Sequence, residues 1–395
     1  MTRPQLTIPE IVSDPLATLG RARGQGWLAD AEEGTVVALT HERVRELLGD
    51  DRLRANFPEF LRRLGITSGT FYDWMAISPL NRDGAEHVRW RTLMSKTFTP
   101  RSVERLRPFL KGAAHELIDA FAARGECDFV AEFSDVYPSL GLSELIGVPK
   151  QDRDRFRRWA NTIGLGFSPL MLVGRVGEVD AALSELLEYT TELAGRRLVE
   201  PQDDLVTRIA EAGRDAGWTP FEVSGSIAGF VFAGHETTKN QLGWTVAVLS
   251  EQPAVWDAVA SGKLPVADVV EEVLRYRSTA TSVGRTASTT LEIGGETIEE
   301  GKTVICSLWS ANHDPSAYPE PDVLDVGRRR GEPHFAFGHG AHFCIGAALA
   351  RAELQEGLTA LASRLTVPKV GPDAAWTPPL GITGPMRLPI TFSVR

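Results

Sequence analysis

Residues 334–346 read His334-Phe-Ala-Phe-Gly-His-Gly-Ala-His-Phe-Cys-Ile-Gly346. Three of the eight histidines fall here, His334, His339 and His342, and Gly338, Gly340 and Gly346 surround Cys344. The next residues, Ala347 to Leu354, are strong helix formers, so Cys344 sits where a loop becomes a helix. Free N–H groups and the positive end of a helix favour a thiolate there. The glycines permit tight turns and close approach of the backbone to a ligand. On the residues alone, three uses of this cysteine stay open. It is an inert structural thiol in a turn, a zinc ligand with His339 and His342, or a thiolate ligand to haem iron.

The rest of the chain bounds the choice. Its 395 residues are 43% hydrophobic and 24% charged, ordinary globular usage that excludes a wholly disordered, collagen-like or coiled-coil protein. Lys and Arg number 42 against 52 Asp and Glu, a net −10 that disfavours general nucleic-acid binding. Three cysteines, Cys127, Cys306 and Cys344, are too few for a disulfide scaffold, and the first two are expected to be structural. With no signal-like apolar region and no apolar run of about 18 residues, the expectation is a cytoplasmic protein without a membrane anchor.

Helical periodicity dominates. Residues 101–122 place Val103, Leu106, Leu110, Ala113, Leu117 and Phe121 on one face, and residues 151–160 and 178–198 read similarly. Strand-like pieces are short and scattered: 35–39, 290–293, 303–308 and 388–392. No linker divides the chain. The expected fold class is mainly α with small β-sheets, in a single large domain over residues 1–395. The longest helix opens on the capping box Thr219-Pro-Phe-Glu222 and runs to about Ser250, roughly 45 Å at 1.5 Å per residue. It carries Gly229, Ala233, Gly234 and Gly243, which predicts close approach to something flat or bulky.

The run Phe337-Gly-His-Gly-Ala-His-Phe-Cys344-Ile-Gly346 resembles the FxxGxxxCxG haem signature of the cytochrome P450 family. The likeness extends from about Leu53 to Ala362, with motifs in the family's order. Glu272-x-x-Arg275 is similar to the family's E-x-x-R pair, which by residue type alone is an ordinary surface ion pair. Arg328 matches the arginine that completes that network. Ala233-Gly234-His-Glu236-Thr237 is similar to the oxygen-activation motif. His87-x-x-x-Arg91, Arg285 and His342 match the contacts to the haem propionates. Asp83-Gly-Ala-Glu-His87 departs from the family's frequent D-P-P-E-H, and His313 stands where arginine is common; His334 reads as structural.

The resemblance implies a haem-thiolate monooxygenase holding haem b (heme b, iron protoporphyrin IX) with Cys344 as the iron ligand. Ala233, Gly234, Phe337, Gly338 and Gly346 then lie against the cofactor, and Thr237 and Glu236 deliver protons to dioxygen. Glu272, Arg275 and Arg328 hold the cysteine loop. By family position the substrate pocket draws on Phe71, Tyr72, Trp74, Met75 and Ile77, on Phe230, Ala233, Gly234 and Thr237, and on Thr281, Val283, Ile382 and Thr383. It would suit an apolar or weakly polar small molecule. With no flavin domain, electrons come from a ferredoxin and its ferredoxin reductase. Residues 87–106, with Arg89, Arg91, Lys96, Arg101 and Arg105 against Glu104, sum to +4 and are a candidate docking surface. The rival readings are a peroxide-driven peroxygenase and a non-catalytic haem binder.

Overall fold

A computed structural model describes residues 2–95, 99–328 and 331–395. Lys96 lies outside the described residues. Helices carry most of the chain, and the periodic segments fold as Pro100–Ala122, Arg153–Gly164 and Val176–Val199. The long helix is Pro220–Ser250, 31 residues. Its capping box forms as read: Glu222 N–H donates to the Thr219 hydroxyl, and Thr219 N–H to the Glu222 carboxylate.

This helix joins two apolar clusters. Its first half, Val223 to Phe232, packs with Arg153–Gly164, Val176–Val199 and Leu205–Ala216. Its second half, Leu242 to Leu249, packs with Pro100–Ala122, Val266–Tyr276 and Ala347–Arg364. Between the halves Ala233 is exposed, and Gly234 and Thr237 are half-buried, so the helix opens a window where one cluster gives way to the other.

The helix glycines do face bulky groups, but these are side chains of the protein. A Cβ on Gly225 would lie 3.2 Å from Trp74 and Ile77, one on Gly229 3.9 Å from Trp74, and one on Gly234 2.8 Å from Leu142. Gly243 packs on Pro385. Packing between elements therefore accounts for Gly234.

Three of the four expected strands appear close to their predicted limits, as Thr35–Ala38, Leu291–Ile293 and Thr303–Ser307; the fourth is Pro389–Thr391. The main sheet orders Leu28–Asp30, Thr35–Ala38, Thr303–Ser307, Ser282–Ala287 and Leu53–Arg54. Thr35–Ala38 runs parallel to Thr303–Ser307, and the other pairs are antiparallel. Ser282–Ala287 is the element that matters for function, because it sets Arg285 opposite Val304 and buries it. Cys127 and Cys306 are buried in the core, where burial pushes both thiols up to about 12, as expected of inert cysteines.

Candidate active site

The Cys344 loop is fixed by its own backbone. Cys344 N–H donates to Phe337 O at 2.9 Å, and Gly338 N–H to Phe335 O at 2.9 Å. Gly338 and Gly340 take φ of +70° and +71°, conformations that cost a side chain about 1–2 kcal/mol. The following helix, Ala347–Arg364, starts three residues after Cys344 with Gly346 as its cap. Cys344 is exposed to the cleft but densely surrounded elsewhere. Burial raises its thiol; the Gly346 N–H, Arg91 and Arg351 pull it back down.

The Glu272 network is buried rather than solvated. Glu272 takes Arg275 bidentately, at 3.0 and 2.7 Å, and accepts the Asp325 N–H at 2.9 Å and Arg328 Nε at 3.5 Å. Arg275 spends its remaining donors on the carbonyls of Asn312, Pro321 and Val323, and Arg328 reaches those of Pro319, Glu320 and Val323. The Asn312 side chain then accepts the Phe335 N–H at 2.8 Å, which carries the network into the cysteine loop. The three residues named from sequence meet, and Asn312 is the link that sequence reasoning missed.

His87, Arg91, Arg285 and His342 also converge. The His87 and His342 rings lie 4.2 Å apart. His342 Nε2 meets Asp83 Oδ1 at 2.9 Å, and Asp83 Oδ2 accepts the Ala55 N–H at 2.9 Å. Asp83 was missed as a site residue; its position in the altered D-G-A-E-H segment was the available signal. Burial, with His342 and Arg91 beside it, pushes His87 down to about 4, so the ring is neutral at ordinary pH. Burial also lowers Arg91 and Arg285. Among the described residues neither arginine has a carboxylate partner within ion-pair distance, and Arg285 bonds only its neighbour's carbonyl, Gly284 O, at 2.8 Å. A buried and a half-buried cation without anions match a dianionic ligand such as the two propionates of haem. With a cysteine at a helix start, this donor set fits the group.

Other expected ligand sets do not assemble. Among the described residues no three His, Cys, Asp or Glu side chains could hold a metal ion together. The zinc reading fails because His342 is turned to Asp83, not to Cys344. His334 is structural, meeting Glu271 at 3.3 Å.

The oxygen motif divides. The Thr237 hydroxyl, in the window, donates to Ala233 O at 2.6 Å. Glu236 is buried away from it, with Lys239 at 2.5 Å and Asn240 at 3.0 Å. Lys239 continues to Asn161 at 2.9 Å, Asn161 to Asp135 at 2.7 Å, and Arg157 to the other Asp135 oxygen. Glu236 is the inner end of a polar chain, held by an ion pair that sequence alone did not predict.

The substrate pocket needs correction. Phe71, Trp74 and Met75 have essentially no accessible surface, and Phe230 has little; they are core. Phe71 packs among Phe57, Trp74 and Phe167, over Gly166, and Trp74 Nε1–H is spent on Gly225 O at 2.9 Å. Thr281 and Thr383 are buried, with the Thr281 hydroxyl on Gly381 O. Tyr72 and Ile77 are only half-buried, as are Val283 and Ile382; Ala233 is exposed. Of the expected docking residues, Arg91 belongs to the cationic cluster, whereas Arg89, which donates to Ala216 O at 2.7 Å, Arg101 and Arg105 are exposed.

A family model described as Cytochrome P450 matches residues 200–375. Luteothin monooxygenase of Streptomyces thioluteus is 32% identical over 95% of this chain and 92% of its own length. Cyclomarin C epoxidase CymV of Salinispora arenicola is 38% identical over 78% of this chain and 79% of its own. The solved structure of cytochrome P450 CYP109Q5 from Chondromyces apiculatus superposes with a TM-score of 0.88 at 30% identity, covering 100% of both chains. The chain thus has relatives along nearly its full length, and it belongs to the cytochrome P450 family as a haem-thiolate monooxygenase.

Proposed function

We propose that Cys344 is the thiolate ligand of haem b, and that His87, Arg91, Arg285 and His342 hold its propionates, in a chain forming one domain. The observation that carries this reading is the convergence of an exposed cysteine at a helix start with a buried arginine, Arg285, and a half-buried one, Arg91, neither with a carboxylate partner among the described residues. When bound, haem supplies dioxygen activation, and thiolate donation favours O–O cleavage. The residues of the chain do the rest. Gly346 N–H and the helix start steady the sulfur's negative charge. His87, neutral, serves as a hydrogen-bond donor, and the arginines as cations. Thr237, facing the window, rotates its hydroxyl from Ala233 O to donate a proton to the oxygen side. Glu236, once Lys239 releases it, takes up a proton from solvent and passes it to that side.

The substrate is an apolar or weakly polar small molecule, held by Ala233, Val283 and Ile382 and hydroxylated or oxidised in a related way. Luteothin monooxygenase and cyclomarin C epoxidase are named for reactions of that kind. Electrons come from a ferredoxin and its reductase, and Arg101 and Arg105 offer the exposed positive charge for docking. Among the described residues no helix is long and apolar enough to cross a membrane, which agrees with a place in the cytoplasm.

The test is turnover under isotope-labelled dioxygen with a ferredoxin and its reductase. The expected product carries one labelled oxygen atom, and Thr237→Ala lowers its yield per electron by up to about 10²-fold, a modest share for a positioned proton donor. Peroxide-driven turnover undiminished in Thr237→Ala, with none from dioxygen, contradicts this reading.

A further inference from the structure

Glu271 and Glu272 are neighbours on the Val266–Tyr276 helix. At 3.6 residues per turn their side chains point about 100° apart, so they serve different parts of the fold. Glu272 holds the buried arginine network. Glu271 reaches instead to the helix that begins behind Cys344. Arg351 donates Nε and Nη2 to its two oxygens, at 2.6 and 2.9 Å, and His334 Nε2 lies 3.3 Å away. The Arg351 guanidinium lies over the Phe337 ring, 4.4 Å from its centroid. Phe337 is the residue whose carbonyl accepts the Cys344 N–H. A line of direct contacts thus runs from Glu271 through Arg351 and Phe337 to Cys344.

We propose that Arg351, held by Glu271, is a positioning residue for Cys344 and also sets the electrostatic potential at its sulfur. This rests on the reading of Cys344 as the haem ligand. The geometry calls for arginine, since a planar fork takes a carboxylate bidentately while its face stacks on an aromatic ring, and lysine does neither. The guanidinium over the Phe337 ring, and the Phe337 carbonyl on the Cys344 N–H, bring the Arg351 charge close to the sulfur. Glu271 is charged too: despite burial, His334 and Arg351 hold its carboxyl at about 2, so it neutralises part of the Arg351 field. One-electron reduction adds negative charge at the iron centre, which a nearby cation favours and a nearby anion opposes.

Haem-loaded wild type, Glu271→Gln, Arg351→Met and Arg351→Lys distinguish this from a mechanical clamp. Two quantities are read: the reduction potential, and the fraction of reduced, carbon monoxide-bound protein with the thiolate-type Soret band. Removing the cation in Arg351→Met shifts the potential negative. Removing the anion in Glu271→Gln leaves Arg351 unneutralised and shifts it positive. Arg351→Lys restores the potential but not the full thiolate-type fraction, because charge returns without the stacked fork. Shifts of one sign in Glu271→Gln and Arg351→Met, or no shift, overturn the proposal. If Arg351→Met does not load haem, Glu271→Gln decides alone: a positive shift supports the proposal, and a negative or absent one overturns it. Wild type without the thiolate-type band overturns the underlying ligand reading as well, whereas wild type with the band and variants without opposite shifts overturns this inference only.

Discussion

The two walls of the cleft are held by different forces. Behind Cys344 the wall is polar: Glu272, Arg275, Arg328 and Asn312 form a buried network of charge-assisted hydrogen bonds that ends on the cysteine loop. Beyond the long-helix window the support is apolar, with Phe57, Phe71, Trp74, Phe167 and Phe232 packed ring on ring. A directional network fixes one loop in one geometry, which a metal ligand requires. Apolar packing is tolerant of volume-conserving change, which suits the side proposed to lie towards the substrate.

Cutting the network is the strongest way to break this contrast. Arg275→Ala leaves Glu272 buried without its bidentate cation and with only Arg328 at 3.5 Å, a loss of about 3–5 kcal/mol. Urea unfolding should show that loss together with poor haem loading; an unchanged midpoint would mean the network is not what holds the loop. The apolar side should lose nearly as much from Trp74→Ala, about 3–5 kcal/mol for a core tryptophan. Ligand-induced spin-state titration then separates core from wall. A core residue costs stability and spares substrate affinity in the folded fraction, and the reverse result would return Trp74 to the pocket wall.

Glu353 sharpens the contrast from the polar side, as a buried acid outside the network. It is 1% exposed on the helix that follows Cys344, and neither carboxylate oxygen has a hydrogen-bond partner in good geometry. Burial raises it well above the usual carboxylate range, with the nearby Thr238 hydroxyl a smaller opposing influence. The folded state keeps its proton where the unfolded state has lost it. Stability from this group is therefore full below the unfolded value of about 4.3, and falls as pH rises from there towards the folded value, by about 1.4 kcal/mol per pH unit. Glu353→Gln removes that fall. Its unfolding free energy should match wild type near pH 4 and exceed it increasingly towards pH 8. A constant difference between the two would show that Glu353 is ionised.

The same division explains what the sequence made legible. The polar wall depends on particular residue types at fixed spacing, so Glu272, Arg275, Cys344 and the glycines at 338, 340 and 346 could be singled out through the family resemblance, although Glu272 and Arg275 by residue type alone are an ordinary surface pair. The long helix was readable from the Thr219 capping box to its end near Ser250. Connections made through tertiary contact were not: Asn312 and Asp83 join the site through two hydrogen bonds each, and no local pattern marks Asn312. Ser282–Ala287, a short strand of mixed polarity containing Gly284, has no alternation to mark it, although Arg285 upon it was identified. On the apolar wall, aromatic composition does not tell a lining ring from a core ring. Phe71, Trp74 and Met75 were therefore assigned to the pocket, whereas Gly166 and Gly225 make room for two of them in the core. Glu236 was recognised by its motif, but its ion pair with Lys239 follows from helix spacing that many exposed pairs share.

The central claim is that Cys344 is the thiolate ligand. It is tested most directly by the absorption spectrum of the reduced protein under carbon monoxide. Wild type should show the red-shifted Soret band of thiolate-ligated haem, and Cys344→Ser should lose it while keeping the fold by circular dichroism. A folded Cys344→Ser protein that retains the band, or a wild type that binds haem without showing it, would contradict the assignment.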